Sequence, residues 1–111
     1  GGAHALFCAF QSTVNPGDGV MLFSPYWTPI RDHITFAGGI AQRMPWDDAR
    51  GVDDLTSLLA KHVTPKTRVI YVNTPANPTG WTASRDDLVT LYDTTHRPEQ
   101  AAKFRVKSNA R

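Results

Sequence analysis

The sequence is short of cysteine, of long apolar runs and of clustered metal ligands. Its single cysteine, Cys8, excludes an internal disulfide framework and a multi-cysteine zinc site, and it suits a reducing compartment. No apolar run approaches the roughly 18 residues that a membrane span needs, and the chain opens on a glycine pair instead of a basic stretch followed by an apolar one. Membrane-spanning and signal-peptide readings are set aside, no membrane partner is expected, and the expected location is cytoplasmic. His4, His33, His62 and His96 are scattered, with no pair at the spacing zinc motifs use, so no metal site is expected.

What is present is the composition of one ordinary soluble domain at most: 41% hydrophobic and 20% charged in 111 residues. The net charge of +2 hides an asymmetry, because Gly1 to Asp93 carries seven basic and nine acidic residues while Thr94 to Arg111 carries five basic and one acidic. A nucleic-acid binder would carry a basic stripe with interleaved aromatics across its folded part. The body has none, so no nucleic-acid partner is expected. A small α/β unit buries a modest share of its surface and has little stability to spare, which points to a part of something larger.

Along the chain, Ala5 to Val14 places Leu6, Phe10 and Thr13 on one stripe with Phe7 and Val14 beside it, as an amphipathic helix does. Cys8 on this helix reads as a buried, inert thiol. The stretch NPGDG from Asn15 to Gly19 is turn chemistry, and the short apolar run Val20 to Phe23 reads as a buried parallel strand. Thr28 to Ala37 predicts a helix with Pro29 in its first turn, stopped by Gly38 and Gly39, and Ile40 to Met44 predicts a second strand. Asp53 and Asp54 suit an N-cap and first turn ahead of Leu55, Leu58, Leu59 and His62 at helical spacing; Asp47 and Asp48 read as turn residues. Val69 to Val72 fits a central strand covered on both faces. Ser84 with Asp87 three positions on resembles a capping box, and Leu88, Leu91 and Tyr92 continue that helix. Alternating helices and mostly parallel strands predict an α/β fold built of βαβ units. Past Asp93 the pattern fails.

In open α/β sheets, ligands gather at the carboxyl ends of strands and the amino ends of adjacent helices. Three segments point there. In GGAHALF, Gly1 to Phe7, the helix start offers unpaired N–H groups and a positive dipole end, suited to a phosphate, although a glycine pair before a helix is more often only a turn. In SPYWTP, Ser24 to Pro29, Tyr26 and Trp27 could stack on a planar ring or simply close the rim of the core. In ANPTG, Ala76 to Gly80, two prolines stiffen the loop around Asn77, and Gly80 permits a positive φ. The Asn77 amide either donates to a ligand oxygen or folds back into an Asx-type turn.

The combination GGAHALF, NPGDGV, SPYW, AGG and TPANPTG, in this order and approximate spacing, resembles class I/II aminotransferases, which are fold-type I pyridoxal-phosphate enzymes. The likeness covers roughly Gly1 to Asp93. It implies a partial three-layer sandwich of a fold-type I large domain, with pyridoxal 5'-phosphate as cofactor. It further implies that Gly2 and Ala3 match the turn whose amides bind the cofactor phosphate, that Trp27 matches the aromatic stacked on the pyridine ring, and that Asn77 matches the asparagine bonded to the ring's phenolic oxygen. His4 stands where many relatives have a small or amide residue. The complete enzyme would be a homodimer moving an amino group between an amino acid and a 2-oxo acid.

The family's pyridinium-binding aspartate, its Schiff-base lysine and its carboxylate-binding arginine have no matching motif here. Lys61, Lys66, Lys103 and Lys107 stand in the wrong contexts, so no catalytic residue is assigned. The expectation is a cofactor-binding fragment of an aminotransferase, inactive alone. The alternatives are a non-catalytic piece acting only by association and a part of a related fold-type I lyase or synthase. A nucleotide-binding module fits less well, since GGAHAL is not GxGxxG. The basic stretch 94–111 reads as an irregular or foreign tail, and the composition switch at Asp93 favours a truncated or frame-shifted product over a solvated end.

Overall fold

The computed structural model describes residues 1–45 and 55–105. Its elements run α1 (Gly2–Thr13), β1 (Gly19–Ser24), α2 (Pro29–Phe36), β2 (Ile40–Pro45), α3 (Leu55–His62), β3 (Thr67–Tyr71), α4 (Arg85–Thr94) and α5 (Pro98–Arg105). Every helix and strand expected before Asp93 is present, with its ends shifted by a few residues. The readings placed on Asp47, Asp48, Asp53 and Asp54 lie outside the described residues. Among the described residues, no helix is long and apolar enough to cross a membrane.

β1 lies between β2 and β3 and runs parallel to both. Successive side chains along a strand point to opposite faces, so its continuous apolar run feeds two cores. Val20 and Leu22 pack with Phe10, Val14, Ile30 and Ile34 from the α1–α2 side. Met21 packs with Met44, Leu58, Leu59 and Leu91, which brings in α3 and α4. The outcome is the expected α/β arrangement, helices on both faces of a parallel sheet. A fully buried aliphatic side chain contributes about 1.5–3 kcal/mol. Val20, Met21 and Leu22, all completely buried, therefore outweigh any single cap or surface ion pair, each worth about 1 kcal/mol or less.

The strand expected to be central, Val69 to Val72, is instead at an edge of the described sheet, and its residues are only partly buried. Its pairing with β1 is irregular at Arg68: Gly19 pairs Thr67 but Val20 pairs Val69. Arg68 is the inserted residue. Two further expectations fail on α1. Cys8 and Thr13 are exposed, because the buried stripe runs through Leu6, Phe10 and Val14 and both residues point away from it. Thr13 instead turns its hydroxyl back to the Ala9 carbonyl at 2.7 Å.

The helix ends follow local chemistry. Thr28 stands at the N-cap position of α2 without a side-chain cap bond, and Pro29 follows in the first turn. Ser84 and Asp87 form the expected capping box, the Asp87 amide donating to Ser84 Oγ (3.1 Å) and the Ser84 amide to Asp87 Oδ2 (2.7 Å). At the far ends, α2 and α4 share one closing geometry. Gly38 and Gly39 donate to the carbonyls of Thr35 and Ile34; His96 and Arg97 donate to those of Asp93 and Tyr92. Both closures need a residue with positive φ, Gly38 at 82° and His96 at 56°.

The tail carries a helix where the sequence pattern predicts none. α5 packs on α4, with Ala101 fully buried. It starts on Pro98 and Glu99, both favourable in a first turn. Ala101 is small, so no strong apolar period announces the helix.

Candidate functional site

Because β1 and β3 are parallel neighbours, their carboxyl ends emerge at the same edge of the sheet. β1 runs out into Pro25, Tyr26 and Trp27; β3 runs out through Val72 and Asn73 into the loop 74–80. The two connections meet over a shallow cleft, open to solvent, whose lining includes Trp27, Asn77, Tyr26, Tyr71, Asn73 and Trp81. Among the described residues no charged side chain lines it.

Trp27 is partly buried against the α1–α2 core, and its carbonyl accepts from the Ile30 amide (3.1 Å), which fixes it at the start of α2. Its indole meets the His33 ring at 5.9 Å and 45°. Phe7 of α1 packs edge-on against the same imidazole at 5.8 Å.

The loop bearing Asn77 is closed by its own backbone. The Gly80 amide donates to the Ala76 carbonyl and the Ala76 amide to the Trp81 carbonyl, both at 2.7 Å, while the Ala83 amide reaches Thr74 Oγ1 at 2.8 Å. Gly80 holds the positive φ that its place in the loop demands, 71°. The Asn77 side chain is exposed, and among the described residues nothing bonds its carboxamide. The Asx-type turn open to it is not made, so donor and acceptor both remain available.

Gly2 and Ala3 form the exposed first turn of α1 and do not line the cleft. Gly1 precedes them as a cap without a side chain, and the Ala5 amide takes the Gly1 carbonyl at 3.1 Å. One turn further on, Leu6 packs against the cluster that holds Trp27 and Tyr71. The fold thus gathers Trp27 and Asn77 in one cleft and leaves Gly2 and Ala3 outside its lining. His4 is exposed beside them.

The sequence reading missed Tyr71, Asn73 and Trp81 as cleft residues. Tyr71 and Asn73 carry a signal, standing two positions apart at the carboxyl end of a strand and so able to point the same way. Trp81 carries none, since its position depends on how the loop closes. Burial pushes the Tyr71 phenol above its ordinary pKa, so its hydroxyl stays protonated at neutral pH.

The family model "Aminotransferase class I and II" matches residues 1–99. This chain belongs to that family. The aspartate/prephenate aminotransferase of Thermus thermophilus is 35% identical over 91 residues, 82% of this chain and 24% of that protein. The aspartate aminotransferase of Bacillus sp. (strain YM-2) is 31% identical over 109 residues, 98% of this chain and 25% of that one. Among solved structures, aspartate aminotransferase from Thermus thermophilus with maleate superposes with a TM-score of 0.77 at 33% identity, covering 89% of this chain and 26% of the other. This chain therefore spans about a quarter of the length of these aminotransferases. Members of the class I/II family depend on pyridoxal phosphate.

Proposed function

We propose that this chain supplies the cofactor-binding floor of a pyridoxal-phosphate-dependent aminotransferase. The observation that carries the reading is the meeting of Trp27 and Asn77, distant in sequence, in one aromatic-walled cleft at the ends of adjacent parallel strands. The residues fit the group. Tyr26 and Trp27 offer ring faces to a planar heterocycle, and the unpartnered Asn77 carboxamide offers an N–H to an oxygen on its edge. The phosphate belongs by this reading to the first-turn amides at Gly2 and Ala3, where the helix dipole favours an anion.

Bound pyridoxal phosphate supplies an electron sink for chemistry at an amino acid's α-carbon. The side chains of this cleft would bind and orient: Trp27 would stack on the ring and Asn77 would hydrogen-bond an oxygen on its edge. Among the described residues no carboxylate, lysine or histidine lines the cleft to move a proton, so by this reading the described residues supply binding groups and not those of the covalent steps. Residues 1–93 belong to the large domain in this reading, with 94–111 as its basic continuation. The complete enzyme works in the cytoplasm as a homodimer on an amino acid and a 2-oxo acid. The names of the relatives support aspartate as amino donor.

Titration of the 111-residue chain with pyridoxal phosphate, followed by quenching of tryptophan fluorescence, tests this. Saturable binding is expected, weakened about three- to tenfold by Asn77→Ala and by Trp27→Ala, the range for one neutral hydrogen bond or one ring contact. Undiminished binding by both variants, or tighter binding of NAD, would refute the assignment. Added cofactor is expected to give no transamination by this chain alone, measured as 2-oxo acid release.

A further inference from the structure

The backbone of Trp27 is held at the start of α2, where its carbonyl accepts from the Ile30 amide. That bond leaves the indole free to turn, because the second side-chain torsion of a tryptophan is broad. Among the described residues, the ring that meets the indole is the His33 imidazole. His33 in turn packs against Phe7 of α1, and Phe7 also meets Phe36 at 6.2 Å and 66°. His33 and Phe36 stand three positions apart on α2 and so share a face of it, which Phe7 touches at both points. The imidazole Nε2 is buried and has no hydrogen-bond partner. A buried nitrogen left unpaired is a cost that another contribution must offset. The contribution visible here is the contact of the imidazole with the two flanking rings, so this histidine serves by shape and not by polarity.

We propose that His33 is a positioning residue of the cofactor site: its ring, packed on Phe7, sets the orientation in which the Trp27 indole faces the cleft. The inference rests on the cofactor reading above and adds to it a residue that does not line the cleft. His33 therefore acts through Trp27. The same contacts join α1, whose first turn carries the proposed phosphate amides, to the indole proposed to stack on the ring.

The test measures the affinities of pyridoxal phosphate and pyridoxal by fluorescence titration, with Trp81 as the cleft reporter wherever Trp27 is removed. Wild type, His33→Ala, His33→Phe, Trp27→Ala and the His33→Ala/Trp27→Ala double variant are compared under conditions where urea denaturation shows each to be folded. His33→Ala is expected to weaken both ligands about two- to tenfold, the range for one ring contact. His33→Phe, which keeps a ring in the same place, is expected to match wild type. In the Trp27→Ala background, removal of His33 is expected to have no further effect. A residue that only supports the fold would lower the urea midpoint and leave the affinity of the folded chain unchanged. Phe7→Leu, which takes away the ring that His33 packs on, is expected to weaken binding in the same direction and serves if His33→Ala does not fold.

Equal affinity of wild type and His33→Ala for pyridoxal phosphate overturns this inference while the cofactor reading stands. An equal loss in His33→Phe overturns it in favour of a role for the imidazole nitrogens. Additive losses in the double variant overturn it by showing that His33 acts independently of Trp27. A loss confined to pyridoxal phosphate and absent with pyridoxal overturns it in favour of an effect on the first turn of α1. No binding of pyridoxal phosphate by the unaltered chain overturns both readings.

Discussion

Trp27 and His33 face each other across the first turns of α2, ring centroids 5.9 Å apart, and the imidazole Nε2 behind that contact is buried without a hydrogen-bond partner. The indole proposed to hold the cofactor ring is thus backed by a polar group that gains nothing from its polarity. An unsatisfied buried nitrogen costs about 1–3 kcal/mol. His33→Phe keeps a ring between Phe7 and Trp27 and removes the nitrogen. The variant is expected to be more stable by about 1 kcal/mol in urea denaturation; a lower midpoint would show that Nε2 is satisfied in solution.

The shared closing geometry of α2 and α4 gives opposite expectations for two substitutions. Gly38→Ala forces a side chain into a positive φ and against Pro16, whose Cα would lie 3.1 Å from the new Cβ, so a loss of about 1–2 kcal/mol is expected. His96 already bears that strain at φ 56°. His96→Gly is expected to gain up to about 1 kcal/mol. Thermal melts of the two variants should move in opposite directions.

Gly39 is constrained by space instead of by φ. A Cβ there would meet Val14 Cγ1 at 2.8 Å, Ile34 Cγ2 at 2.9 Å and the Ile34 carbonyl at 3.2 Å. Gly39→Ala is expected to cost about 1–3 kcal/mol, the usual range for overpacking. Val14→Ala in the same chain should recover part of it, measurable as non-additivity in a double-mutant cycle. Full additivity would place the conflict elsewhere.

Tyr71 sets a pH dependence whose sign follows from its burial. Its pKa in the folded chain lies above the ordinary value of 10.0, so between those two values the folded state holds more protons than the unfolded one. Stability then falls as pH rises. The contribution is fully present below about pH 10 and is lost above it. Denaturation midpoints from pH 8 to 11 should fall less steeply for Tyr71→Phe than for wild type. Parallel slopes would count against a buried phenol.

Much of this molecule is determined by local chemistry that can be read along the chain. Val20 to Phe23 had to be a strand buried on both faces because no alternation interrupts it. The Ser84–Asp87 box and the Gly38–Gly39 stop mark helix ends through the backbone groups they satisfy. The motifs around Gly2, Trp27 and Asn77 were legible only through their combined resemblance to a known family, since each alone has an ordinary structural explanation. The strand order was not legible. A parallel strand pairs across residues distant in sequence, and nothing in Val69 to Val72 says whether a neighbour lies on one side or both; hence β1, and not β3, is central in the described sheet. Cys8 and Thr13 were misread for a related reason: which side of a helix is buried depends on where the sheet lies beneath it. Helix α5 escaped notice because the residue it is shown to bury is an alanine, and a small residue leaves no apolar period. Tertiary structure alone decided that Trp27, Tyr71 and Asn77 share a cleft. Residue type sets what a side chain can do, but proximity between segments is bought by the packing of the two cores, and that is a property of the whole fold.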